Sequence, residues 1–220
     1  MRKIHLITTC SKSKNAKALE SFRYSNLSNY YDVYRDWSKR IKAHFQENIY
    51  VTETQNLYRG AHWNTALKIS KSRADISLWV ISAGLGLRHG SDPAVPYEAS
   101  FTGMSQNSAK LWELLVKNPI LPGCSPSLED LLQKNQTDSF VIAASPVYLR
   151  AVENDLLRGI SSLPDPMTQI TIVTTRGYSG GLQPYLRFGN KDMMGLLNSN
   201  MTTLNIKHAA SIISSITAAI

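Results

Sequence analysis

Four short apolar runs, rich in β-branched residues, constrain this chain most: Lys3–Thr8, Ile76–Ser82, Ser139–Ala144 and Gln169–Thr174. Each has the length and composition of a buried strand. Between them lie segments with helical spacing. Tyr30, Tyr34, Trp37, Ile41 and Phe45 recur every three or four residues, which predicts a helix over Tyr30–Phe45. A helix is expected from His62 to Ser72, another over Ala109–Lys117 with Ser108 as cap, and a short one from Ser127 to Lys134. Ser145-Pro146 opens a further helix with a cap and a first-turn proline, running to Arg158-Gly159. Thr202 or Thr203 starts the last one. Short strands are expected at Ile49–Thr52 and Tyr185–Phe188, and a Gly/Pro-rich loop over Ala83–Asn107. Strands alternating with helices give an α/β chain with a central, largely parallel sheet flanked by helices, read as a single domain over residues 1–220.

Ligands of such sheets bind outside the carboxyl ends of the strands. The residues leaving each strand therefore matter most. They are Thr8-Thr9-Cys10-Ser11-Lys12-Ser13-Lys14, Ser82-Ala83-Gly84-Leu85-Gly86-Leu87, Ala144-Ser145-Pro146 and Thr174-Thr175-Arg176-Gly177-Tyr178-Ser179-Gly180-Gly181. All combine small hydroxyl residues with glycine, proline or a cation. Small residues let backbone N–H groups approach a ligand, and helix starts favour anions. None is a nucleotide fingerprint: GxxxxGK[ST] is absent, and Gly84-Leu85-Gly86 lacks the third glycine of GxGxxG.

Charge is distributed unevenly. Residues 1–73 hold 14 Lys and Arg against 5 Asp and Glu, whereas residues 74–220 are nearly neutral. A one-sided positive field favours a polyanion, most commonly nucleic acid. Aromatic residues interleave with these cations, among them Tyr24, Tyr30, Tyr31, Tyr34, Trp37, Tyr58 and Trp63. They suit base stacking or, for most, core packing. No apolar run is long enough for a membrane span, and the one after Met1 stops at Thr8, too short for a signal peptide. With two cysteines, Cys10 and Cys124, no disulfide framework is expected and a cytoplasmic setting fits best.

Cys10 reads either as a nucleophile near Lys12 and Lys14 or as a small residue at a strand end. Its possible histidine partners are His5, His44, His62, His89 and His208, none in a protease context. The histidines show no HExxH or H-x-E spacing, so no metal and no cofactor are expected. Among the carboxylates, Asp92 and Glu98 stand out because they follow the second strand in a loop. A carboxylate there orients a water or stabilises a cationic sugar. The structural reading is that Asp92 makes an Asx turn before Pro93 and Glu98 ties the loop down.

In order along the chain come Thr9-Cys10-Ser11-Lys12-Ser13-Lys14, Tyr24-Ser25-Asn26-Leu27, Leu57-Tyr58-Arg59-Gly60, Trp79-Val80-Ile81-Ser82-Ala83-Gly84-Leu85-Gly86-Leu87 and Pro96-Tyr97-Glu98-Ala99-Ser100-Phe101. This order resembles a family of uncharacterised bacterial and phage proteins with a Cys-[GS]-x-x-Lys opening, a Ser-Ala-x-x-Gly-Leu strand exit and a Pro-Tyr-[Asp/Glu] loop. The opening is also similar to the Cys-Ser-x-x-Lys-Pro-Tyr segment of the uracil-glycosylase-like domain of archaeosine synthases. Among proteins of known activity the chain most resembles the bacterial anti-phage DNA glycosylases that remove hypermodified cytosines. It departs from these patterns in continuing Lys12 with Ser13-Lys14 and in lacking Gly-Gln-Asp-Pro-Tyr.

The resemblance implies a uracil-DNA-glycosylase-like fold. It also implies a hydrolase that flips a modified base out of phage DNA and cuts its N-glycosidic bond, leaving an abasic site as antiviral defence. Under that reading Glu98 is the catalytic carboxylate, with Asp92 as substitute. Backbone around Cys10, Ser11 and Gly84 lines the pocket. Lys12, Lys14 and Arg176 contact phosphates or a bulky modified base, and Tyr58 or Tyr97 stacks on the base. Arg59, Ser82, Ser145 and Lys191 complete the DNA-binding set, and Phe188–Gly195 is either a DNA-contacting wedge or a plain loop. Two other readings fit the same residues. One is a hydrolase or transferase acting on a modified nucleoside, nucleotide or tRNA base. The other is a nucleic-acid-binding module without chemistry.

Overall fold

The computed structural model describes residues 2–16, 30–102, 108–190 and 192–218. β1 (Ile4–Thr9) is buried along almost its whole length, so both its faces are covered. α1 (Tyr30–Gln46) follows, burying Trp37 and Ile41 and exposing its charged residues. Next come β2 (Thr52–Glu53), α2 (Thr54–Leu57), α3 (Ala61–Ser72) and β3 (Ile76–Ser82). The second strand exit turns back as β4 (Gly86–His89) and continues through β5 (Pro93–Ala94). Then follow α4 (Ser108–Lys117), α5 (Leu128–Lys134), β6 (Ser139–Ala143), α6 (Pro146–Ile160), α7 (Pro166–Gln169), β7 (Ile170–Thr174), β8 (Leu186–Phe188), α8 (Met193–Leu196) and α9 (Leu204–Ala218).

The main sheet has the order β4-β3-β1-β6-β7-β8. All its pairs are parallel except β3 with β4. In register, Leu6 lies between Leu78 and Val141, and Ile7 between Trp79 and Ile142. The expected α/β class and largely parallel sheet are present. No helix among the described residues is long and apolar enough to cross a membrane.

One buried polar chain crosses the sheet. The Trp79 indole donates to His5 Nδ1 at 3.0 Å, so the other ring nitrogen carries the proton and donates to Asp138 at 3.1 Å. Asp138 also accepts from the Lys3 backbone N–H at 3.0 Å.

Several elements differ from expectation. β4 and β5 lie inside the segment expected to be loop, because β4 is short and carries the buried Arg88 instead of an apolar pattern. The strand expected at Ile49–Thr52 is displaced to Thr52–Glu53, since Asn48 and Tyr50 take left-handed backbone conformations. α9 starts at Leu204, after Asn200 accepts the backbone N–H groups of Thr202 and Thr203 in an Asx turn. α2, α7 and α8, four residues each, carry too little pattern to be read from sequence.

Candidate functional site

From the central strand β1 the chain passes to β3 on one side and later to β6 on the other. The crossovers therefore diverge at the carboxyl ends of β1 and β6, which is where open α/β sheets leave a crevice. A cavity of about 430 Å³ opens there. Thr9, Cys10 and Ser11 line it from β1, and Ala143, Ala144 and Ser145 from β6. Thr175, His62, Met201, Thr202 and Asn205 complete it. The cavity thus meets the first turns of α3, α6 and α9, where unpaired backbone N–H groups and the positive dipole ends lie. Among the described residues no carboxylate lines it. The Oδ1 atom of Asn205 is buried without a hydrogen-bond partner among the described residues.

His62 is held from both sides. Its Nδ1 lies 3.3 Å from the Thr202 carbonyl, which can only accept, and its Nε2 lies 2.6 Å from the Thr8 hydroxyl. A neutral ring therefore donates from Nδ1 and accepts the Thr8 proton at Nε2. Burial lowers its pKa from 6.5. Sequence reasoning weighed His62 only as a partner for Cys10. Its place two residues after Gly60, in the first turn of a helix, was the available signal.

Beside the cavity is a cluster of tyrosine, thiol and lysine. Residues 13–15 pair with 57–59 as a short antiparallel bridge, with Asn15 N–H donating to Leu57 O and Arg59 N–H to Ser13 O. This sets Lys14 against Tyr58. The Lys14 ammonium lies 4.4 Å from the Tyr97 ring centroid and 5.7 Å from that of Tyr58, a cation–π arrangement, and donates to the Ser11 carbonyl at 3.2 Å. Burial lowers its pKa, while Cys10 and Glu98 pull it back up. Beneath it, Ser82 Oγ lies 2.6 Å from Tyr97 Oη, which lies 2.8 Å from Tyr58 Oη. Cys10 Sγ is 3.2 Å from Tyr148 Oη. Burial pushes all three phenols above their ordinary value, so they stay protonated and act as hydrogen-bonding groups.

The expected site residues separate accordingly. Cys10, Ser11 and Ser145 line the cavity, and Lys14 is tied to it through Ser11. Tyr58 and Tyr97 are 2% and 0% exposed, so neither ring offers a face to a base; this corrects the stacking role expected for them. Ser82 and Gly84 are buried behind the cavity instead of lining it. The Gly84 carbonyl accepts from the Trp37 indole at 2.7 Å. Lys12, Arg59 and Arg176 are exposed cations. The loop carrying Arg176 is pinned to α6, with Arg150 donating to Gly177 O at 3.0 Å and Glu153 accepting from Gly181 N–H at 2.7 Å. Lys191 and the Tyr24–Leu27 motif lie outside the described residues.

The two carboxylates also part. Asp92 is 3% exposed and accepts from the backbone N–H groups of His89 and Cys124 at 2.7 and 2.9 Å. Its Oδ2 is 3.7 Å from the buried Arg88 guanidinium, which itself donates to the carbonyls of Leu121, Pro93 and Pro122. Every bond Asp92 makes holds the loop together, which sets aside its expected role as substitute carboxylate. Glu98 is half-buried and sits within electrostatic reach of Lys14. No group of three or more His, Cys, Asp or Glu side chains suited to a metal ion occurs among the described residues. Compared with known proteins, the chain matches no family model, no curated protein and no solved structure.

Proposed function

We propose that this protein hydrolyses the N-glycosidic bond of a modified base in DNA, a hypermodified cytosine of phage DNA, leaving an abasic site. The observation that carries the reading is the cavity at the switch point, walled by hydroxyls and three helix starts, with Lys14 tied to its Ser11 wall and Glu98 within electrostatic reach of Lys14. Its volume is in the range of small-ligand pockets, so one extruded nucleotide is an apt occupant. Helix starts and hydroxyls suit the phosphate and sugar. Glu98 supplies the negative charge that an oxocarbenium-like sugar requires. Water then adds to C1′, the C1′–N bond breaks with its electron pair leaving on the base, and the water proton ends on the base. Lys12 and Arg176, both exposed, suit flanking phosphates. The reading takes in the uracil-glycosylase-like assignment of the fold, which a parallel core with its cavity at the carboxyl ends supports.

The test is mass spectrometry of free bases released from plain DNA, uracil DNA and phage DNA with hydroxymethylated or glucosylated cytosine. Release of one modified base is expected, and Glu98→Gln should abolish it while leaving DNA binding within about twofold, since a neutral amide cannot stabilise the sugar cation. Unchanged release by Glu98→Gln removes Glu98 from the mechanism. A second reading, a transferase or hydrolase on a free nucleotide or base, is favoured by the Cys10 thiol on the cavity wall. Activity on mononucleotides without affinity for long DNA would select it. Salt-sensitive DNA binding with no product from any substrate would select a module without chemistry.

A further inference from the structure

A second feature lies outside the cavity. Between α1 and α4 runs an open groove of about 610 Å³, walled on one side by Tyr31, Asp32, Arg35, Lys39 and Lys42 and on the other by Leu114 and Asn118. Arg35, Lys39 and Lys42 follow one another at four- and three-residue spacing, so they form a stripe on one helix face about 10 Å long. Arg35 pairs with Asp32 at 2.8 Å, yet its side chain remains 82% exposed. Lys39 and Lys42 are exposed and have no carboxylate within ion-pair distance among the described residues. Tyr31 is 57% exposed, its ring 4.7 Å from that of Tyr30, over which the Lys110 ammonium sits at 5.0 Å. The groove therefore joins a cationic stripe to an exposed aromatic ring. The opposite face of α1 packs against the residues behind the cavity, since the Trp37 indole donates to Gly84 O and its ring meets Tyr97 edge-on.

We propose that this groove carries the phosphodiester backbone of the nucleic acid beyond the nucleotide held in the cavity, with Arg35, Lys39 and Lys42 on phosphates and Tyr31 against a sugar or base. This rests on the nucleic-acid reading of the site. A stripe of that length matches about three phosphates of one strand, and Lys39 and Lys42, exposed and without a carboxylate partner among the described residues, release counterions from nucleic acid on binding. An exposed tyrosine beside them is the stacking element that a nucleic-acid strand recognises and a small anion does not.

The experiment is fluorescence anisotropy with a labelled duplex and a labelled single strand of about 30 nucleotides, titrated across salt. Wild type, Lys39→Glu/Lys42→Glu and the control Lys68→Glu/Lys71→Glu are compared. The control carries the same charge change on exposed residues of α3. The α1 variant should bind at least about tenfold more weakly, and its log K against log salt slope should fall by about two, while the control keeps the wild-type slope. Lys39→Gln/Lys42→Gln, which adds no acid to the helix, stands in if the reversal does not fold. An unchanged slope, or an equal loss in the control, overturns the groove and leaves the nucleic-acid reading intact. Failure of wild type to bind either oligonucleotide overturns that reading and the groove with it.

Discussion

At Gly84 a methyl group has nowhere to go. A Cβ there would lie 2.6 Å from the Tyr97 ring and 2.9 Å from the Trp37 ring, both buried. The glycine lets the chain leave β3 beneath two aromatic rings, and so sets the height of the Tyr97–Tyr58–Ser82 hydroxyl network on which Lys14 rests. Gly84→Ala should destabilise the fold by about 2 kcal/mol, read as a fall in the urea midpoint, because an overpacked core must shift backbone or rings. An unchanged midpoint would mean that the rings move freely. Gly177 is special for a different reason: its φ of 105° has no neighbour within 4 Å, so only backbone conformation asks for glycine there. The Ser-Ala-x-x-Gly-Leu signal was legible in the sequence; that Gly84, at one of its open positions, serves packing was not, since the two rings that crowd it come from positions 37 and 97.

At the scale of elements, α6 organises one flank of the site. Ser145 and the helix's first turn face the cavity, and Arg150 and Glu153 anchor the loop that carries Arg176. Two residues further, buried Asp155 accepts from the Leu128 and Glu129 backbone N–H groups at 3.0 and 3.2 Å and from the Trp112 indole at 2.9 Å. A carboxylate on one helix thus satisfies the open N-terminus of α5 and ties in α4. Asp155→Ala leaves three buried donors unpaired and should cost about 3 kcal/mol in a urea titration. A loss under about 1 kcal/mol would show that water takes its place. Ser145-Pro146 announced the start of α6 in sequence. The role of Asp155 did not show, because an aspartate amid a helix looks like a solvated face until its neighbours are known.

Across the whole molecule, burial sets the response to acid. His5, His62, His89 and His208 all have pKa values lowered from 6.5, with desolvation as the leading cause. The unfolded chain then binds protons near 6.5 that the folded chain refuses, so stability is full above that pH and falls as the pH drops through it. The folded chain should lose urea midpoint steadily between about pH 7 and pH 5. A midpoint flat across that range would show that these rings charge freely in the fold. Asp155 acts in the opposite sense lower down: burial raises its carboxyl above 3.8, so the folded chain takes up that proton first.

Local pattern specifies the alternation of strands and helices, hence the α/β class, and which segments leave the strands at the carboxyl end. Local periodicity and cap chemistry carry that information, because a buried strand and an amphipathic helix each need their own spacing of apolar side chains. Which exits meet depends on contacts across the sheet. The strand order joins the ends of β1 and β6 at one cavity, brings His62 to it from α3, and puts the ends of β3 behind it. It also divided two carboxylates that look alike in one loop, burying Asp92 among backbone donors while leaving Glu98 beside Lys14. Such choices depend on contacts between residues far apart in the chain, and no local pattern encodes the partner across a sheet.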